Sequence, residues 1–319
     1  MKQKIILFTA LVLLLALVAF MVKDFFFSKL GTSNPYEFKL DAVRTGDTTS
    51  AAYAETGQMK PGMEEIHGLA TDASDRIYVA GKDSVEIFDA SGKALSKFRI
   101  TGTALCVALD ESGNIFLGLQ DHIEIWQNGK QVSKWNSCGT DAVITSIAIK
   151  GNIVFVADAG QKVVYRFDKD GKLINKIGLK DPAIGVPGFI IPSPYFDLCI
   201  SSDGNLWVVN PGRHSFEKYT FDGKLLNSWG KASMAVEGFC GCCNPSNFAM
   251  IQDSLFVTAE KAIERVKIYN ANGTLRCLVA TPGQFEEGTK GLDLAVDNRN
   301  RILVLDPVKK LIRIFEAKK

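Results

Sequence analysis

The sequence predicts an all-β fold, a closed wheel of six small sheets behind one N-terminal apolar helix, and three observations carry that prediction. An apolar run recurs six times, opening at Ile77, Ile115, Val154, Leu206, Leu255 and Ile302, with spacings of 38, 39, 52, 49 and 47 residues. A period of about 40–50 residues holding short β-rich runs is the mark of propeller blades rather than of helical arrays. Each copy also places a tight Gly turn after an alternating run, and helix-period patterns are nearly absent after residue 31.

The chain opens with Ile5 to Val22, apolar except for Thr9, preceded by Lys2 and Lys4 and followed by Lys23. Eighteen helical residues rise about 27 Å, close to the hydrocarbon thickness of a bilayer. No small-x-small cleavage site follows Val22 and no cysteine is placed to take a lipid, so residues 1–30 are expected to be an uncleaved signal anchor. The short tail then stays in the cytoplasm and the rest of the chain lies outside it, in the periplasm or extracellular space. Secretion after cleavage is the alternative. Residues 31–63 read as a linker, Thr/Ser/Ala-rich over 45–54, and residues 64–319 as the propeller.

Within a copy, the third strand alternates apolar and polar, as in Val85-Glu86-Ile87-Phe88, Ile123-Glu124-Ile125-Trp126 and Val266-Lys267-Ile268-Tyr269. That pattern suits a half-buried ribbon. Ser91-Gly92, Asn128-Gly129, Asp170-Gly171, Asp222-Gly223 and Asn272-Gly273 then supply the positive φ of tight hairpins. Outer strands follow, for example Lys172–Ile177 and Leu225–Trp229. The sixth copy ends after its third strand, Leu311–Phe315, with no outer strand of its own. Tyr36–Val43 has strand character and no blade, so the segment before the first copy is expected to complete the last blade and remove two sheet edges.

The chain carries a formal charge of +2; without residues 1–30 it has 33 Lys and Arg (37 less four lysines) against 34 Asp and Glu (35 less Asp24), a net −1. A nucleic-acid binder would show a basic face and a positive balance, so that partner is excluded.

Gly68-Leu-Ala-Thr-Asp72, Val156-Ala-Asp158-Ala-Gly160 and Arg213-His214 make the copies resemble NHL repeats over about residues 64–319, more loosely in the second and fifth copies. The resemblance implies a six-bladed propeller with any pocket at the axis on one face. It implies no single reaction, because such proteins include scaffolds, binding modules and a few lyases. Four further stretches, PGFIIPSPYFD (187–197), NPGRHSFEKY (210–219), GFCGCCNPSNFAM (238–250) and TAEKAIERVKIY (258–269), resemble loops of a bacterial group of exported, membrane-anchored NHL-repeat proteins. This suggests that blades 4 and 5 form one functional unit.

The extra residues of this chain fall in the loops that lead from one blade to the next, which share a face with the turns between second and third strands. Long loops gathered on one side are the default functional surface. On that face the candidate ligand or partner residues are His67, Tyr195, Asp197, Arg213, His214, Asn244, Asn247, Lys261 and Arg265. Cys240, Cys242 and Cys243 fall within four positions, with Cys138 in the corresponding loop between blades 2 and 3. They point to a disulfide within the loop or to Cys138, to a thiolate-bound metal, or to a redox-active pair. The innermost strands align Gly68, Cys106, Ser146, Asp197, Asn247 and Asp293 at one register near the mouth of the axial channel. Asp197, Asn247 and Asp293 could hold Ca²⁺ there, against the alternative of a hydrated polar channel. His214 either caps a turn or serves a pocket as ligand or base; His122 reads as surface. Glu260, Lys261, Glu264 and Arg265 read as a solvated ion cluster.

The leading function is a membrane-tethered binding propeller that presents its loop-rich face to an envelope protein, a peptide or a glycan. A redox or metal-handling role on the cysteine loop is the first alternative. The second is a lyase or hydrolase using His67, His214, Asp197 and Asp293, for which no nucleophile motif is present.

Overall fold

The computed structural model describes residues 2–27, 51–184, 186, 188–241, 243–252 and 254–318. It divides into two compact units, Met1–Ala42 and Val43–Lys319, each described by itself. In the first, a helix runs from Lys2 to Phe27, and its stretch Lys4–Asp24 is 21 residues long and apolar enough to cross a membrane. A signal sequence has the same character, so by length and composition the helix could serve as an anchor or as a signal.

The second unit is a six-bladed propeller. The inner strands are Ile66–Thr71, Cys106–Leu109, Ile144–Lys150, Leu198–Ile200, Asn247–Ile251 and Asp293–Val296, and neighbouring inner strands touch all the way round, the last against the first. Within each blade successive strands pair antiparallel. The second strands begin at Ile77, Ile115, Ile153, Leu206, Leu255 and Ile302, the periodic positions of the sequence with a one-residue difference at blade 3. Blade 1 is the tightest. Its Ile77–Phe88 segment pairs with Ile66–Thr71 through its first half and with Ala94–Thr103 through its second, and Asp83, at φ 58°, marks the fold-back.

Tyr53–Met59 closes the ring by pairing antiparallel with Leu311–Ala317, the third strand of blade 6. Tyr36–Val43, the strand expected there, lies outside the described residues, and Tyr53-Ala54, expected in a loop, begin the closing strand. Arg313 locks the closure. Its guanidinium grips Glu55 through Nε–Oε1 at 3.0 Å and Nη2–Oε2 at 2.5 Å and donates to the Gln284 carbonyl at 2.7 Å. Burial works against the Glu55 charge, but Arg313 holds this carboxyl below its ordinary value. Further along, Lys318 N–H donates to the Ala52 carbonyl and Ala52 N–H to that of Leu278, so the chain enters the wheel against the outer strand of blade 5.

One contact repeats between blades. The hairpin Gly after each third strand sits on the outer-strand side chain of the preceding blade: Gly129 on Phe98, Gly171 on Trp135, Gly223 on Ile177 and Gly273 on Trp229. Gly92 of blade 1 sits on Met59 of the closing strand, so Met59 takes the part that an outer-strand residue takes elsewhere. These glycines are at φ 72–102°, and a Cβ on Gly171 or Gly273 would lie 2.7 or 2.8 Å from the indole beneath. Sequence alone explains these glycines by turn geometry; blade-to-blade packing is the second reason only Gly fits.

The third strands differ from expectation. Their polar position does not face solvent: Glu86, Glu124, Glu217, Lys267 and Arg313, aligned two residues before the conserved-register aromatic, are all buried, as is Tyr165 in blade 3. Both faces of a blade are covered by its neighbours, so alternation here marks packing layers rather than inside and outside. Each charge is paired: Glu86 with Lys97 at 2.8 Å, Glu124 with the Trp126 Nε1–H at 3.1 Å, Glu217 with Asn210 at 2.8 Å and Tyr219 at 2.6 Å. Burying such groups without partners would cost several kcal/mol each, roughly 2–7.

Candidate functional site

The face bearing the inter-blade connections is organised by residues at the ends of second strands. Asp158 Oδ1 accepts from Val143, Gly160 and Gln161 N–H at 2.9–3.0 Å, tying the turn of blade 3 to the connection from blade 2. Asn210, fully buried, does the same in blade 4. Its Oδ1 accepts from Ile190 N–H at 2.9 Å and its Nδ2 donates to the Gly188 carbonyl and to Glu217. The NPGRH turn thus holds the PGFIIPSPYF loop.

Blade 5 carries this further. Asn244, in the cysteine loop, accepts from Lys261 N–H at 3.0 Å and donates to the carbonyls of Cys240 and Lys261 at 2.7 and 2.9 Å. Lys261 Nζ donates to Ser193 Oγ at 2.8 Å and lies 4.7 Å from the centroid of the Tyr195 ring. Glu264 Oε1 accepts from Gly288 N–H at 2.7 Å. One turn, residues 260–265, therefore fastens the connections from blades 3, 4 and 5 at once. Beneath it Glu260 pairs with Arg265 at 2.9 Å and with Lys267, whose ammonium also donates to the carbonyls of Val236 and Gly238 at 3.0 and 2.7 Å. The Lys267 ammonium also faces the Phe239 and Tyr269 rings at 4.6 and 5.1 Å. Glu260, Glu264 and Arg265, expected as a solvated cluster, are buried: Glu260 and Arg265 pair with each other and Glu264 accepts from Gly288 in the connection to blade 6. Arg265, expected as a partner contact, is withdrawn from the surface in the same way. Burial pulls Lys267 down to about 8, although the adjacent Glu260 charge works the other way.

The axial register comes together as aligned. Asp293 accepts from Leu69 N–H of blade 1 at 2.7 Å and from Leu294 N–H at 2.9 Å, with Asn247 Nδ2 at 3.3 Å. Asp197 accepts from Leu198 N–H and, across to blade 5, Phe248 N–H at 2.8 and 2.7 Å. Each carboxylate thus stitches its blade to the next. Burial pushes Asp197 up to about 6; burial and then the Asp197 charge push Asp293 up to about 7. Burial, followed by the Asp293 charge, also drives the Cys106 thiol far above its ordinary range. Asp197, Asp293, Cys106 and Ser146 line a cavity of about 270 Å³ on the axis. Above it opens a second cavity of about 390 Å³ whose wall includes His67, Gln120, Thr145, Tyr195, Asn247 and Lys290. Thr145 lines both. Among the described residues no three His, Cys, Asp or Glu side chains gather closely enough to hold a metal ion.

Of the sequence candidates, His67, Tyr195 and Asn247 meet at this mouth, and Asp197 and Asp293 lie just below. Asn244 and Lys261 act from behind it as fasteners. His214 is elsewhere: at φ 55° it caps the Pro211–Arg213 turn, with its N–H donating to the Pro211 carbonyl, and Arg213 beside it is exposed. His122 is mostly buried and bonded to Asp121 at 2.7 Å. Cys240 and Cys243 are buried, and Cys242 lies outside the described residues. Cys138 and Cys240 are free thiols, and Cys138 sits among Asp121, Asp158 and Gln161 rather than in the cysteine loop. Burial raises both thiols, Cys138 to about 11, followed by Asp158 and Asp121 there and by Glu260 at Cys240.

Lys267, Lys290, Gln120 and Thr145 were not singled out in the sequence. Thr145 had a findable signal, since it precedes Ser146 as His67 precedes Gly68 in the shared inner-strand register.

No family model matches the chain. Among solved structures, a streptogramin B lyase superposes with a TM-score of 0.58 at 11% identity, covering 83% of this chain and 98% of the lyase. The WD40 β-propeller domain of Doa1 gives 0.58 at 14%, covering 81% of each chain. Virginiamycin B lyase from Staphylococcus aureus gives 0.54 at 12%, covering 82% of this chain and 88% of that one. At these identities the likeness establishes the propeller fold and nothing of its chemistry.

Proposed function

We propose that this chain is an NHL-type propeller, tethered by its N-terminal helix with the wheel outside the cytoplasm, that binds a protein, peptide or glycan partner through the loop face of blades 4 and 5. The observation that carries the reading is the single turn at 260–265, which fastens three connecting loops into one surface beside the axial mouth. A pre-ordered surface loses less conformational entropy on association than three separate loops would. The connections into blades 4 and 5 expose Ile190 and Met234 at 46% and 51%, and Arg213, in the turn that holds Ile190, is exposed as well. Burial at Cys138 and Cys240 raises both thiols, opposite to the lowered thiol of a redox-poised cysteine, which favours the binding reading over the redox alternative.

The test is site-specific photo-crosslinking in cells that express the full chain. Crosslinkers at Ile190 and at Met234 are expected to trap one and the same partner in the membrane fraction, while one at Leu173, on an outer strand, traps none. Equal labelling at all three positions overturns the reading, and recovery of the chain in the soluble extracytoplasmic fraction overturns the tether.

A further inference from the structure

The outer strands of the six blades are the sheet edges of the wheel, and one of them differs from the rest. Five carry charge within the strand: Lys97 and Arg99 in blade 1, Lys130 and Lys134 in blade 2, Lys176 in blade 3, Arg276 in blade 5 and Glu55 in the closing strand. The outer strand of blade 4, Leu225–Gly230, carries none. Charged side chains on an edge keep a foreign strand from pairing with it. The register gives the reason for the difference. Lys97, Lys134 and Lys176 stand opposite the buried polar residue of the third strand, which is Glu86, Glu124 and Tyr165 in turn, and Ser228 stands there opposite Glu217. In blade 4, Asn210 and Tyr219 already satisfy Glu217 from within, at 2.8 and 2.6 Å, so the edge needs no lysine.

Leu226, Asn227 and Ser228 are exposed, and among the described residues no backbone hydrogen bond reaches Leu225–Gly230 from outside its own sheet. Beyond a bulge at Leu226, Asn227 to Gly230 pair in unbroken register with Lys218 to Ser215, which leaves a regular edge with its outward N–H and C=O groups unpaired. Beside it, between blades 4 and 5, opens a groove of about 570 Å³. Trp229 and Leu275, both partly exposed, supply apolar wall, and the exposed pair Lys231 and Glu237 supplies polar wall. A strand that adds to an edge draws affinity from main-chain hydrogen bonds and specificity from pockets for its alternate side chains. Blade 5 shows this mode within the chain: Ala51 bridges in parallel to Leu278 of the outer strand, and Ala52 N–H donates to the Leu278 carbonyl at 2.9 Å.

We propose that the outer edge of blade 4 takes up an extended segment of a protein partner by strand addition, with apolar side chains at alternate positions entering the groove. The inference rests on the partner reading above and names its mode. The edge runs directly into the 231–243 loop that carries Met234, so a segment paired with Asn227–Gly230 continues onto that connection. The free N–H and C=O groups specify the occupant, because a glycan offers no repeating main-chain ladder to meet them.

Photo-crosslinking in cells that express the full chain tests it, with crosslinkers at Asn227 and Ser228 and, at the matching register of blade 3, at Lys176. Asn227 and Ser228 are expected to trap the partner that Ile190 and Met234 trap, through one segment of about five or six residues, while Lys176 traps none. Ser228→Lys gives blade 4 the charge that blades 1 to 3 carry, and is expected to lower capture at Ile190 about tenfold. Its melting temperature should match the parent's, since Ser228 is exposed and a lysine at this register in blade 1 pairs with Glu86. Capture at Ile190 and Met234 with none at Asn227 and Ser228, or capture indifferent to Ser228→Lys, overturns the inference and leaves the partner reading standing. A crosslink from Ser228 to a second copy of this chain also overturns it, and no capture at any position overturns both.

Discussion

Blades 1 and 2 and blades 4 and 5 share one strand register, yet they treat the space between blades in opposite ways. Blade 1 joins its second and third strands through Asp83 alone and passes to blade 2 through Ala104 and Leu105. Its Lys82–Glu64 pair, at 3.1 Å, lies at the surface. Blades 4 and 5 insert long connections and then fix them with charges taken out of water, Lys267 and Glu260 at 0% side-chain exposure. The added loops are therefore no loose decoration. A chain that places an ammonium against two carbonyls and a carboxylate has made those loops part of its core.

The largest expected effect tests that difference directly. Lys267→Met leaves Glu260 with Arg265 alone and two carbonyls unanswered, and breaking a buried pair of this kind costs about 3–5 kcal/mol. Urea unfolding should show the loss, with new proteolytic cleavage between residues 231 and 243. Lys82→Ala in blade 1 should leave the unfolding midpoint in place, since its pair with Glu64 lies at the surface, where solvent screens it. Equal effects of the two substitutions would erase the distinction between the halves.

A smaller effect sharpens it. Gly129 of blade 2 and Gly273 of blade 5 hold the same hairpin position at φ 72° and 82°, but a Cβ would lie 3.4 Å from Phe98 in one and 2.8 Å from Trp229 in the other. Both alanine variants incur the left-handed penalty of about 1–2 kcal/mol. Gly273→Ala adds an indole clash of roughly 1–3 kcal/mol, so its melting temperature should fall further.

Much of the fold is written in the apolar runs, because a repeat stated six times averages out local ambiguity. Ile77, Leu206, Leu255 and Ile302 begin strands where the spacing says they do. The closing strand is harder to see, since Tyr53-Ala-Glu-Thr-Gly-Gln-Met59 follows a Ser/Thr/Ala run and has few apolar residues to mark its register. Lys267 was hidden for another reason. In Val-Lys-Ile-Tyr it reads as the wet side of a ribbon, and only the covering loop, 31 residues earlier at Val236, makes it dry. Long-range cover of this sort leaves no local trace. The axial set was legible by register alone, whereas the donors at the rim, Lys290 above all, come from loops that register does not reach.

The hub belongs to neither half and should respond to pH. Asp197 and Asp293 hold their protons to about 6 and about 7, above the unfolded values near 3.9. The folded state then binds more protons than the unfolded one, so stability should decline as pH rises from about 4 to about 7 and level off above. Asp293→Asn is expected to flatten that decline in thermal melts and to raise the melting temperature at pH 8 relative to the parent. A parent profile that rises across this window would show the carboxylates to be ordinary.

Amide hydrogen exchange on the full chain and on Glu260→Gln reaches the central claim most directly, because it reads each loop separately. If residues 260–265 are the common fastening, the variant exchanges faster together near Tyr195, across Val236–Asn244 and at Gly288, while the inner strands of blades 1 to 3 keep their protection. Faster exchange confined to Val236–Cys240, with Tyr195 and Gly288 unchanged, would show three loops held independently and would contradict a single surface.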